Sequence, residues 1–216
     1  MDEGPAEVES TIGALPIGPQ PLETPLPDST DEELIARSRA GESAAFGEFI
    51  ERHMAVVHRW MTRAVGAEDA DDLTQDVFLR AYRGLARFRA QAPPRAWLAA
   101  IADNAIKNKY RSRSRFRRIF ASDPSSDSLE DRASRGRSPE ESARAGESRA
   151  TVQGALSKLP IEFRLPIVLR DLEEWSYEEI AASLDLPIGT VKSRIARGRG
   201  QLRTILAPLV GSERNR

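Results

Sequence analysis

The segment from Ser176 to Ile205 constrains the fold more than any other part of the chain. SYEEIAASL begins with Ser176 three residues before Glu179, the spacing of a capping box, in which each side chain bonds the other residue's backbone N–H at a helix start. Ile180, Ala181 and Leu184 share one face. Asp185 and Leu186 leave room only for a tight turn, and Pro187 suits a helix start. The following PIGTVKSRIARGRGQLRTIL places Val191, Ile195, Gly198, Leu202 and Ile205 on one face at about 100° per residue. Its other face holds Ser193, Ala196, Arg197 and Gly200, flanked by Lys192 and Arg194. Two short helices hinged this way, with small and basic residues outward, form a helix-turn-helix that can seat its second helix in a DNA major groove. An ordinary amphipathic surface helix would mix acids among these bases, and residues 186–203 contain none. Gly198 and Gly200 each cost about 1 kcal/mol inside a helix, so each implies close packing or close approach to a ligand.

Charge is segregated along the chain. The 32 Lys and Arg nearly balance the 33 Asp and Glu, giving a net charge of −1. Residues 1–33 nevertheless lack any base, and residues 104–118 carry Lys107, Lys109, Arg111, Arg113, Arg115, Arg117 and Arg118 without an acid. A second acid-free basic helix beside the one in the helix-turn-helix implies two contacts with a polyanion. The absence of cysteine excludes disulfides, thiolate metal sites and catalytic thiols, and fits a cytoplasmic setting. His53 and His58 lie five apart, off a common helix face, so no metal site is expected. Neither a catalytic constellation nor a Gly-rich phosphate loop is present; the reading is of a protein that is not an enzyme and needs no cofactor. No apolar run reaches the length of a membrane span, and the acidic start is unlike a secretory signal.

The expected fold is all-α: two small helical domains joined by a flexible linker. Residues 1–29, rich in Pro and Gly, read as a disordered acidic tail. Thr30 and Glu33 form a second capping-box pair, opening a domain over 30–118. Its next helix, with Ser43 as cap, carries Phe46, Phe49, Ile50, Val56, Val57 and Trp60 at helical spacing and ends at Gly66. A third helix spans about Ala70 to Phe88, and a fourth starts at Pro93–Pro94 and continues into the basic stretch. Trp97 reads as a core anchor, with a stacking platform as the alternative. Residues 119–148, rich in Ser, Gly and both charges, form the linker. A second domain covers 149–207, with a kink or restart expected at Pro166, and 208–216 form a tail.

The residues in these two domains resemble a known family. WSYEEIAASLDLPIGTVKSRIARGRGQLR resembles region 4 of the sigma-70 family in its extracytoplasmic-function (ECF) group; YEEIA and GTVKSR are its most specific phrases. DADDLTQDVFLRAY resembles region 2.2, and RAWLAAIADNAIKNKYRSR regions 2.3 and 2.4. The Asn104, Lys107, Asn108 pattern is most similar to the sigma-E type.

The resemblance implies a factor that binds RNA polymerase core, through the β′ clamp helices and β flap, and reads a two-part promoter. For the −35 element it implies Thr190, Lys192, Ser193, Arg194, Ala196 and Arg197, with Ser193, Ala196 and Arg197 towards bases and Lys192 and Arg194 towards phosphates. For the −10 element it implies Asn104 and Asn108 around a flipped base, the loop from Arg87 to Ala92 shaping the pocket, and Lys107, Lys109, Arg111 and Arg113 on phosphates. Asp103 lies near that surface, where it would repel phosphate unless turned away. Asp72, Gln75, Asp76, Phe78 and Leu79 would meet the clamp helices; an acidic helix start also suits the helix dipole. An anti-sigma factor is the implied regulator, holding the protein inactive, with sequestration at the membrane as one route, while the active form joins the nucleoid. A stand-alone helix-turn-helix regulator is the principal alternative, and an anti-sigma-binding decoy another; the first leaves the region 2 match unexplained, and the second would not keep the basic faces.

Overall fold

In the computed structural model, residues 25–88, 92–120 and 150–213 are described. Eight helices account for most of them. α1 covers Asp31–Arg39, α2 Ser43–Val65, α3 Ala67–Gly84 and α4 Pro94–Phe120. α5 covers residues 150–157. α6 covers Ile161–Ile167, α7 Tyr177–Leu184 and α8 Ile188–Glu213. The described residues contain no strand, and none of their helices is long and apolar enough to cross a membrane.

Local sequence fixes most boundaries. Thr30 Oγ1 accepts the Glu33 N–H at 3.2 Å while the Glu33 carboxylate accepts the Thr30 N–H at 2.8 Å. The Ser176–Glu179 pair repeats this box at 3.0 and 2.7 Å. Gly66 ends α2 at φ 94°, backbone space that a side chain rarely enters. The Pro93 carbonyl accepts from Ala96 and Trp97, so the diproline does start α4.

Other boundaries shift. Ser43 is the first residue of α2, not its cap; Glu42 holds that place without a side-chain bond. α3 starts at Ala67 and gives way at Leu85–Arg87 to a 3-10 turn. Of the expected N-terminal tail, residues 1–24 lie outside the described residues, while Leu26–Asp28 form one 3-10 turn, because Arg52 of α2 donates to the carbonyls of Leu26, Pro27 and Ser29 and satisfies its polar backbone. α8 runs through Pro208 to Glu213, so most of the expected C-terminal tail is helical. The expected linker lies outside the described residues, apart from the end of α4. Pro166 lies inside α6, which opens directly after it into a wide π turn, Val168–Leu172, closed by the Glu173 N–H on the Val168 carbonyl.

The α1–α4 bundle buries Leu34, Phe49, Val57, Trp60, Met61, Val77, Leu98 and Ala102. α5–α8 bury Leu156, Leu159, Leu165, Leu169, Ile180, Val191 and Ile195. The two cores are continuous, since α6 and the π turn pack on α2 while α7 packs on α4. Two polar anchors secure the junction. Buried Arg164 donates to the Ala64 carbonyl at the end of α2 (3.2 Å) and to the Tyr110 hydroxyl of α4 (2.9 Å). Glu173, with a side chain 5% exposed, accepts from Arg59 at 2.8 and 3.0 Å and from Arg95 at 2.6 Å. Beside it Trp175 meets Trp60 edge-on at 5.8 Å, and Arg95 lies over both rings.

Candidate nucleic-acid and polymerase interfaces

The second helix of the helix-turn-helix presents its small and basic face outward. Lys192, Ser193, Ala196 and Arg197 are exposed, whereas Thr190 and Arg194 are half-buried. Asp185 makes the turn in the left-handed region (φ 50°). Ser193 donates its hydroxyl proton to the Thr190 carbonyl at 2.9 Å, so the outward lone pairs of its oxygen are set to accept. Lys192 lies over the Tyr177 ring at 5.7 Å, which holds its ammonium at the edge of the face. Arg194 keeps one buried guanidinium nitrogen without a bond in the structure. The glycines separate by surroundings. A Cβ on Gly198 would collide with Ile167 Cδ1 and lie 3.2 Å from Phe163 Cβ, so this glycine permits α8 to pack on α6. Gly200 has open space around it.

On α4, Asn104 and Asn108 are exposed. Asn108 lines a crevice of about 320 Å³ between α3 and α4, opposite Asp72, Asp76 and Arg80. The basic residues here divide. Lys107 pairs with Asp103 one turn back, so that buried acid is turned away from the outer surface and neutralised. Lys109 and Arg113 both reach Asp69 at the start of α3. Arg111 and Arg115 are exposed. Trp97 is half-buried against Phe88, ring centroids 4.9 Å apart, and faces Ala182 and Ser183 of α7 across a second crevice with Arg87. It is therefore neither a fully buried anchor nor an open platform. Of the pocket-shaping loop, residues 89–91 lie outside the described residues.

On α3, Asp72 and Gln75 are exposed, and Asp76 is half-buried with an ion pair to Arg80 at 2.8 Å. Leu79 is 54% exposed. Phe78 is 5% exposed and belongs to the core, so a partner gripping this face cannot reach it without unpacking the bundle. Tyr82, 56% exposed and one turn from Leu79, takes its place on the outer face, although its spacing from Leu73 and Phe78 groups it with the apolar side of α3. Its ring leans on Phe46 at 5.1 Å, which explains the helical spacing without burial.

Two of the acids that tie separate elements together, Asp69 and Glu173, are held ionised. Burial pushes the Asp69 carboxyl up, but hydrogen bonds from Lys109 and Arg113 and their charges outweigh this and bring it below the usual carboxylate range. Glu173 follows the same balance, burial opposed by Arg59 and Arg95, and also ends low. Among the described residues no group of three or more His, Cys, Asp or Glu is placed to hold a metal ion.

Comparison with known proteins aligns with this geometry. The sequence profile of Sigma-70 region 2 matches residues 49–116, and that of Sigma-70 region 4 matches residues 149–202. The chain is 36% identical over 186 residues to the ECF RNA polymerase sigma-E factor of Escherichia coli (strain K12), covering 84% of this chain and 96% of that one. The sigma-E factor of Haemophilus influenzae is 33% identical over 184 residues, with 84% and 97% covered. Among solved structures, CnrH in complex with the cytosolic domain of CnrY superposes with a TM-score of 0.59 at 29% identity, over 83% of this chain and 99% of that one. RpoE in complex with the anti-sigma factor NepR from Bartonella quintana shares the fold, with a TM-score of 0.58 at 24% identity, over 75% and 96%.

Proposed function

Because the chain belongs to the ECF group of the sigma-70 family, we infer that it directs promoter-specific initiation by joining RNA polymerase core and reading two promoter elements. It is a DNA-recognition protein, and its work is selective binding. The observation that carries this reading is the coexistence, in one chain, of an outward basic recognition helix and an independent Asn-bearing basic helix.

The −35 element is read as duplex. Arg197 addresses a base edge, and guanine with its O6 and N7 acceptors suits its fork. Ser193 offers an acceptor to an exocyclic amine, and Ala196 makes a small contact beside them. Lys192, Thr190 and Arg194 serve the backbone and fix register without carrying sequence information. At the −10 element Asn104 and Asn108 hold an unstacked base by hydrogen bonds, with Arg111 on phosphates; base and backbone must both be held once the duplex opens. Lys107, Lys109 and Arg113 lie on the same helix but already share carboxylates. The outer face of α3, Asp72, Gln75, Asp76 and Leu79, meets the β′ clamp helices, and the helix-turn-helix domain meets the β flap.

CnrH and the Bartonella RpoE are recorded in complexes with CnrY and with the anti-sigma factor NepR. An anti-sigma factor is accordingly the proposed regulator of this chain. It would keep the two domains together in the cytoplasm or at the membrane, and the active form would separate them on the nucleoid. The proposed division of the chain remains an N-terminal tail, a region 2 domain, a linker and a region 4 domain.

Run-off transcription with core polymerase and this protein on a pool of genomic fragments tests the reading. Discrete transcripts whose upstream sequences share two boxes support it. An unchanged transcript pattern relative to core alone contradicts it.

A further inference from the structure

Asp69 lies in the first turn of α3, with its side chain 10% exposed. Its two oxygens take a bidentate grip from Arg113 (2.7 and 2.9 Å) and a third contact from Lys109 Nζ (2.7 Å). Both cations come from α4, one turn apart, so a single carboxylate ties two successive turns of one helix to the start of another. Two surfaces with different tasks meet there. The crevice beside the tie has Asp72, Asp76 and Arg80 of α3 on one wall and Asn108 and Lys109 of α4 on the other. The angle between α3 and α4 therefore sets how Asn104 and Asn108 are presented relative to the face that grips polymerase. A planar guanidinium held by two parallel bonds fixes orientation as well as distance, as a lone ammonium cannot.

We propose that Asp69 is a positioning residue for −10 opening: with Lys109 and Arg113 it braces α4 against α3, and these two cations act within the protein instead of neutralising DNA phosphates. This rests on the promoter-reading function above. It divides the basic helix into a braced side, Lys109 and Arg113, and an outer side that includes Arg111 and Arg115.

The test uses the full chain with Asp69→Asn, Arg113→Gln, their double variant, Lys109→Gln and Asp69→Glu. Core affinity is measured by competition. Opening of the run-off promoter is followed with 2-aminopurine in the −10 strand, and the salt dependence of holoenzyme binding is recorded. Asp69→Asn, Arg113→Gln and the double variant are expected to slow opening by the same factor, about tenfold for a coupled charged pair of ordinary strength. Core affinity stays unchanged, and Asp69→Glu recovers most of the loss. Arg113→Gln and Lys109→Gln leave the log–log salt slope as it is. A slope reduced by about 0.7–0.9 per removed cation would place these residues on phosphates and overturn the brace. So would tighter promoter binding by Asp69→Asn, or core affinity that falls in step with opening. If the unaltered chain opens no promoter with core, the promoter reading fails; the brace is then judged by thermal unfolding of the same single and double variants, where additive losses overturn it.

Discussion

At the scale of single residues, the sequence places Gly198 inward and Gly200 outward without saying what either does. The structure separates them by what a methyl group would meet. Gly198→Ala is expected to destabilise the protein, because overpacking against Ile167 and Phe163 costs about 1–3 kcal/mol and exceeds the gain in helix propensity of about 1 kcal/mol. Gly200→Ala meets open space and is expected to stabilise by up to about 1 kcal/mol. Thermal unfolding of the two variants checks this, and equal shifts would contradict it. Ser193 and Arg197 were legible as outward-facing because helical periodicity alone orients them. The exposure of Tyr82, which shares the apolar stripe of α3 with buried Phe78, was not. Both lie near the edge of the apolar stripe of α3, where the position of α1 and α2, and not the period, decides which ring is covered.

At the scale of elements, both capping boxes were legible because they are short-range hydrogen-bond patterns completed within four residues. The start of α2 was misread, since Ser43 can sit in a helix as its first residue while Glu42 takes the cap. The consequence of Pro166 was only half legible. A missing N–H predicts a disturbance, but its form as a π turn depends on where Glu173 and Trp175 must go. The outer face of α3 makes its own prediction. Charge reversal at exposed or half-buried positions away from the core leaves packing intact, so Asp76→Arg combined with Gln75→Ala is expected to weaken core binding by about tenfold or more while circular dichroism stays unchanged. A pull-down with undiminished core affinity removes this face from the interface.

At the scale of the whole molecule, the union of the two domains was illegible. Arg59 and Glu173 are 114 residues apart, and nothing local in EEW marks Glu173 as an anchor between the domains. Because Glu173 is nearly buried between two arginines, Glu173→Lys is expected to part the domains, increasing the separation of paired labels on α2 and α8; an unchanged separation would show that apolar packing of Trp60 and Trp175 suffices. The pH dependence has a definite sign. The folded-state carboxyls of Asp69 and Glu173 are held below their usual range, so they stabilise the fold above the carboxylate range, and this contribution is lost as the pH falls below about 4. Acid titration of Glu173→Gln should show a shallower loss of stability than the unaltered chain. With the two domains joined through Glu173 and Arg164, DNA binding is expected to depend on polymerase to part them. Footprinting of the run-off promoter, with and without core, tests that claim directly. The account predicts no protection by the protein alone and, with core, protection of two separated boxes with an opened −10 strand. Protection of a palindromic site by the protein alone, unaffected by core, would contradict it and identify a stand-alone regulator.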